Sequence, residues 1–246
     1  MSWSTWRTGA AAVAATGVIA GFIVNVARAE RMHQDLGLVL ANYFSLFTIV
    51  CSTATVVVLL IAARRGSDAP ADAVESAPLA NALVTTSAAV IILGIVYNAL
   101  LRGIPSAVAA ADPPVVAFLD HWAIETLHVV LPIFIVVDAV FGPRRRRLRW
   151  SALSAVVGIP LLWAVYTMAR GPLVPAPDGS TAYWYPYPFL DPNGPTGYAT
   201  PLTYIAAIAI AFVLTGGALI LLTHRHRHVP RHDTARASRL RPRVHG

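Results

Sequence analysis

An all-α bundle of six transmembrane helices is the fold the sequence predicts, and three observations predict it. Of 246 residues, 56% are hydrophobic and only 13% charged, with a mean hydropathy of +0.60, far more apolar than a water-soluble fold needs. Six predominantly apolar stretches of about 20 residues, the length a bilayer core requires, lie between polar breaks. The third observation is charge placement. All nineteen basic residues are Arg, and six crossings put fifteen of them on one side: Arg7, Arg64, Arg65, Arg144 to Arg147, Arg149 and seven after Thr223. Only Arg28, Arg31, Arg102 and Arg170 fall on the other, so the positive-inside rule places both termini in the cytoplasm, as for a multi-pass protein of the plasma membrane.

The helices are expected at Thr8–Val26, Leu38–Ala63, Leu79–Leu101, Leu119–Phe141, Trp150–Ala169 and Pro201–Thr223. Ala27-Arg28-Ala29 after the first stretch has the small-residue look of a signal-peptide cleavage site, but the stretch exceeds a signal core of about 7–15 residues, and it is read as a retained helix. The inner connection Gly66–Pro78 reads as a plain acidic and alanine linker. The outer one, 171–200, carries seven of eighteen prolines and the run Tyr183–Pro192, aromatic enough to fold back as a cap. Residues 1–223 thus form one transmembrane domain. Residues 224–246 form a basic tail suited to anionic inner-leaflet lipids, with no predicted fold of its own. Because the positive charge sits at helix ends and in that tail, the partners it implies are membrane lipids and not nucleic acid. A single cysteine, Cys51, excludes an intrachain disulfide and a thiolate metal cluster, and no cofactor is expected.

Polar groups inside apolar crossings cost free energy unless partnered, so they carry the functional argument. Ser45, Thr48, Ser52 and Thr55 recur at steps of three and four and stack along one face of the second helix, with Asn42 above them. In the fourth, His121, Glu125, His128 and Pro132 share another face, while Asp138 projects elsewhere and suits an ion pair with Arg144 to Arg147. Thr48 lies sixteen residues before Arg64 and His128 sixteen before Arg144, which puts both roughly 24 Å above the inner arginines. Tyr97, Asn98 and Arg102 of the third helix and Trp163, Tyr166 and Arg170 of the fifth reach the same outer half.

A threonine hydroxyl becomes a useful nucleophile when a neutral imidazole takes its proton, which assigns Thr48 and His128 to those roles and Glu125 to orienting the ring. Asn98, Tyr97 or Tyr166 could face a developing oxyanion, and Ser45, Ser52, Tyr185 and Tyr187 complete the pocket. Two other readings compete. His121, Glu125 and His128 could serve a metal-dependent hydrolase, although the two histidines are about 10.5 Å apart along the axis, and the same cluster could bind a headgroup in a non-catalytic carrier.

Phe44-Ser45-Leu46-Phe47-Thr48, His128-Val129-Val130-Leu131-Pro132 and Tyr185-Pro186-Tyr187-Pro188-Phe189-Leu190 together resemble the androgen-induced protein family and its bacterial six-pass relatives, over nearly the whole chain. The resemblance implies an intramembrane threonine hydrolase of fatty acid esters, with the family's Thr and His falling on Thr48 and His128. A hydrophobic acyl ester would then arrive sideways from the outer leaflet.

Overall fold

The computed structural model describes residues 2–68, 70 and 73–225, and every regular element among them is helical. Six helices are long and apolar enough to cross a membrane: α1 (Trp3–Arg31), α3 (Phe47–Asp68), α4 (Ala77–Leu101), α6 (Pro114–Phe141), α7 (Trp150–Leu173) and α8 (Ala199–Arg225). Two short helices, α2 (Leu36–Ser45) and α5 (Ala107–Ala110), stand on the connections at the end away from the arginine cluster. The chain is therefore a multi-pass membrane protein. Several crossings run past the apolar stretches; at the start of α1, Ser2 caps the helix by accepting the Thr5 N–H. Apart from His224 and Arg225, which end α8, the basic tail lies outside the described residues.

α4 is the centre of the bundle, with 61% of its apolar window buried against 17% for α7 at the rim. It packs on α3, α6, α7 and α8, while α1 closes the other side against α3 and α6. Exposed Leu162, Val165 and Leu214 face outward, as lipid-contacting residues do. Each end is locked by ion pairs. At the end away from the arginine cluster Arg28 holds Asp112 and Asp120, and Arg31 also reaches Asp112. Arg28 lies in unbroken helix, α1 running on through Ala27-Arg28-Ala29 to Arg31.

At the arginine-rich end, buried Asp138 accepts from Arg7 Nε at 2.8 Å, Arg145 at 2.6 Å and Trp3 Nε1 at 2.6 Å. Arg7 also pairs with Glu75 at 3.2 Å. The linker containing Glu75 is thus not plain. Its carboxylate is buried between two charged elements, and desolvation pushes its pKa up despite Arg145 and Arg7 beside it.

Three departures from regular helix shape the middle of the bundle. The second crossing, expected as one helix over Leu38–Ala63, is broken at Leu46, whose ψ of 130° is extended. π turns interrupt α4 at Tyr97–Leu101 and α6 at Thr126–Val130. Pro132 accounts for part of the second. It has no N–H to return to the His128 carbonyl four residues earlier, and Gly94 of α4 makes room for its ring: a Cβ there would lie 2.8 Å from Pro132 Cγ.

Candidate functional site

All three irregularities converge on one place. The break at Leu46 puts Thr48 in the first turn of α3, and the α6 π turn turns His128 toward it: Thr48 Oγ1 lies 3.4 Å from His128 Nε2. His128 Nδ1 is 2.9 Å from the Ile124 carbonyl. A carbonyl only accepts, so Nδ1 carries the ring proton. The lone pair of the neutral ring is then on Nε2, facing the hydroxyl. Tyr97 stacks on the imidazole with ring centroids 4.0 Å apart, fixing its plane.

The His128 carbonyl that Pro132 cannot satisfy accepts from Asn98 Nδ2 at 3.0 Å. Arg102 Nε in turn donates to Asn98 Oδ1 at 2.7 Å, and its two terminal nitrogens grip Glu125 at 2.7 and 3.1 Å. This chain corrects the expected role of Glu125. Its carboxylate does not orient the His128 ring, a task done by the Ile124 carbonyl, but holds Arg102, which holds Asn98, which holds the backbone of His128. Asn98 is equally not an oxyanion donor, since both its amide hydrogens go to the Gly94 and His128 carbonyls.

The hydroxyl stripe is also redrawn. Ser45 Oγ donates to the Ala41 carbonyl and meets Tyr166 Oη at 2.9 Å, which commits Tyr166 as well. Thr55 bonds back to the Cys51 carbonyl, and Ser52 is fully buried with no hydrogen-bond partner among the described residues. Of the four, only Thr48 borders the cavity, because the break at Leu46 takes Ser45 off the common face.

The 171–200 loop supplies what the sequence left open. Tyr187 Oη lies 3.4 Å from Thr48 Oγ1 and faces the backbone N–H groups of Phe47 and Thr48. Those two amides begin α3 and have no acceptor within it, the Ile49 and Val50 N–H groups going to the Leu46 carbonyl. Burial pushes the Tyr187 phenol up, so it remains a protonated donor. The phenol oxygen thus sits beside two backbone donors that α3 itself leaves free. Sequence reasoning missed these amides, because no Gly or Pro at Leu46 announces the break. Tyr185 serves otherwise: its ring covers Gly171, where a Cβ would fall 2.2 Å from it, and pins the loop to the end of α7.

The cavity beside this group has a volume of about 80 Å³. Thr48, His128, Tyr97 and Tyr187 form its polar end, while Ile92, Val96, Leu161, Ile208 and Phe212 of α4, α7 and α8 make an apolar wall. Among the described residues no three His, Cys, Asp or Glu side chains come together as metal ligands; His121 is exposed and Glu125 is held by Arg102. Comparison with known family models, curated proteins and solved structures returns no match.

Proposed function

We propose that the protein is an intramembrane hydrolase of lipid esters, with Thr48 as nucleophile and His128 as general base. The observation that carries this reading is the pair itself: a threonine hydroxyl 3.4 Å from Nε2 of an imidazole whose Nδ1 is tied to a carbonyl. Such catalytic contacts run long without substrate and tighten as the reacting complex forms. The apolar wall suits an acyl chain, and the resemblance to the six-pass threonine hydrolases points the same way.

In this mechanism Thr48 Oγ attacks the ester carbonyl as its proton passes to His128 Nε2. The carbonyl π pair moves to oxygen, and the Tyr187 hydroxyl beside Thr48 donates to the developing charge. Collapse breaks the bond to the alcohol oxygen, which takes the proton from Nε2. Water then attacks the acyl-threonine with His128 again as base, releasing the fatty acid and restoring Thr48. Ester and water arrive from the outer side past the 171–200 loop. The cytoplasmic end of the bundle is the one bearing Arg64, Arg65 and Arg144 to Arg149, with both termini, in the plasma membrane.

Purified full-length protein tests the reading. Thr48→Ala and His128→Ala should each lower hydrolysis of a long-chain ester at least about 10³-fold, and Thr48→Ala should also lose labelling by a fluorophosphonate. Undiminished turnover in either variant rules the mechanism out.

A further inference from the structure

Four arginines stand at the outer end of the bundle, and three of them hold carboxylates: Arg28 with Asp112 and Asp120, Arg31 with Asp112, and Arg102 with Glu125. Arg170 is different. Its guanidinium lies over the Trp184 ring at 5.4 Å and spends one donor on Asn42 Oδ1 at 2.7 Å, with no carboxylate among the described residues in reach. Asn42 is 4% exposed, and its Nδ2 has no hydrogen-bond partner among the described residues. A guanidinium can only donate, so the Asn42 oxygen must be the atom that faces it, and the amide hydrogens are left without an acceptor. Two neighbouring side chains from α2 and α7 thus offer donors where the described residues supply no acceptor and no counter-charge. A buried donor left in that state is costly unless an acceptor completes it, and beside a guanidinium without a carboxylate the favoured acceptor is an oxyanion.

The position of this pair ties it to the cavity. Arg170 is seven residues after Trp163, which lines the cavity, so both lie on one face of α7 with about 10 Å of rise between them. On the opposing strand of chain, Asn42 stands one turn before Ser45, whose carbonyl accepts from Trp163 Nε1. The Trp184 N–H donates to the Gly171 carbonyl, which fixes the indole over Arg170.

We propose that Arg170 and Asn42 form a seat for the oxyanion head of a single-chain lipid amphiphile, carboxylate or phosphate, whose tail runs down into the cavity at Thr48. The proposal rests on the reading of that cavity as a lipid site. It makes Arg170 the residue that selects anionic over neutral lipids.

Binding decides it, measured by titration of the full-length Thr48→Ala protein in nonionic micelles and corrected for protein-free micelles. Dodecanoate or dodecyl phosphate should bind at least tenfold more tightly than dodecanol, and the better anion identifies the headgroup. Arg170→Gln should bring the anion to the level of dodecanol and leave dodecanol unchanged. Asn42→Asp, which gives Arg170 an internal carboxylate, should do the same without loss of thermal stability, and it decides the matter should Arg170→Gln fail to fold. Equal binding of anion and alcohol by the parent protein overturns the proposal. So does a substitution that weakens both ligands alike or neither, or inorganic phosphate binding as tightly as dodecyl phosphate, which would mark a seat for a free ion. Because the background is Thr48→Ala, no outcome depends on hydrolysis. A hydrolase without this discrimination would keep the Thr48–His128 reading and lose the seat.

Discussion

Thr48 is set apart from the other hydroxyls of its crossing by what it lacks. Ser45 and Thr55 return their protons to carbonyls of their own helices, whereas Thr48, at the start of α3, meets only His128 and Tyr187 among side chains. Tyr187 is accordingly the residue whose phenol matters more than its ring. Tyr187→Phe keeps the packing against Trp163 and Phe189 and should lower kcat for a long-chain ester about 10²-fold, with little change in KM. Asp112 gives a stability prediction outside the crossings. The hydrogen-bonded Arg28 guanidinium, with Arg31 beside it, holds this carboxyl below its ordinary value of 3.8. Since the folded value lies below the unfolded one, the stabilisation is complete above 3.8 and is lost as pH falls through the depressed value. Asp112→Asn should cost about 1–3 kcal/mol at neutral pH, and its thermal melts should show a smaller acid-side decline than those of the wild type. The sequence singled out Thr48 and His128, because a hydroxyl and an imidazole at equal depth are visible as spacing. It could not reveal that the Ile124 carbonyl, and not Glu125, orients the ring, since a backbone partner carries no residue signature.

At the scale of elements, the site is a product of irregular helices. Two π turns and one break bring side chains from α3, α4 and α6 to a point that straight helices would miss, and each irregularity is closed by a compensating bond such as Asn98 to the His128 carbonyl. The expected single helix over Leu38–Ala63 fails because nothing in Ser45-Leu46-Phe47 marks a stop. The extended Leu46 is imposed from outside, where Trp163 Nε1 takes the Ser45 carbonyl and Tyr166 the Ser45 hydroxyl. Loop attachment is testable at Gly171. Gly171→Ala drives a methyl into the Tyr185 ring and should cost about 1–3 kcal/mol, displacing the loop and lowering ester turnover more than the drop in melting temperature alone explains.

On the scale of the whole molecule, the bundle is closed by charge at its two ends and by apolar packing between them. Asp138→Asn leaves Arg7 and Arg145 buried with a weakened partner and should destabilise the fold by about 3–5 kcal/mol, read as loss of the folded species in detergent. Orientation is open to direct measurement. In intact cells an impermeant maleimide should label Ser180→Cys in the outer loop and not Ser67→Cys at the arginine-rich end, Cys51 being buried and silent. The six crossings, their alternation and the arginine asymmetry were decided by the sequence alone, because a bilayer imposes length and hydrophobicity on each segment independently of its neighbours. The meeting of Thr48 with His128 and Tyr187, the burial of Glu75, and the donors left open at Arg170 and Asn42 were decided only by tertiary structure. Each depends on where a side chain from one helix finds, or fails to find, an acceptor on another, and no local pattern of residues encodes that.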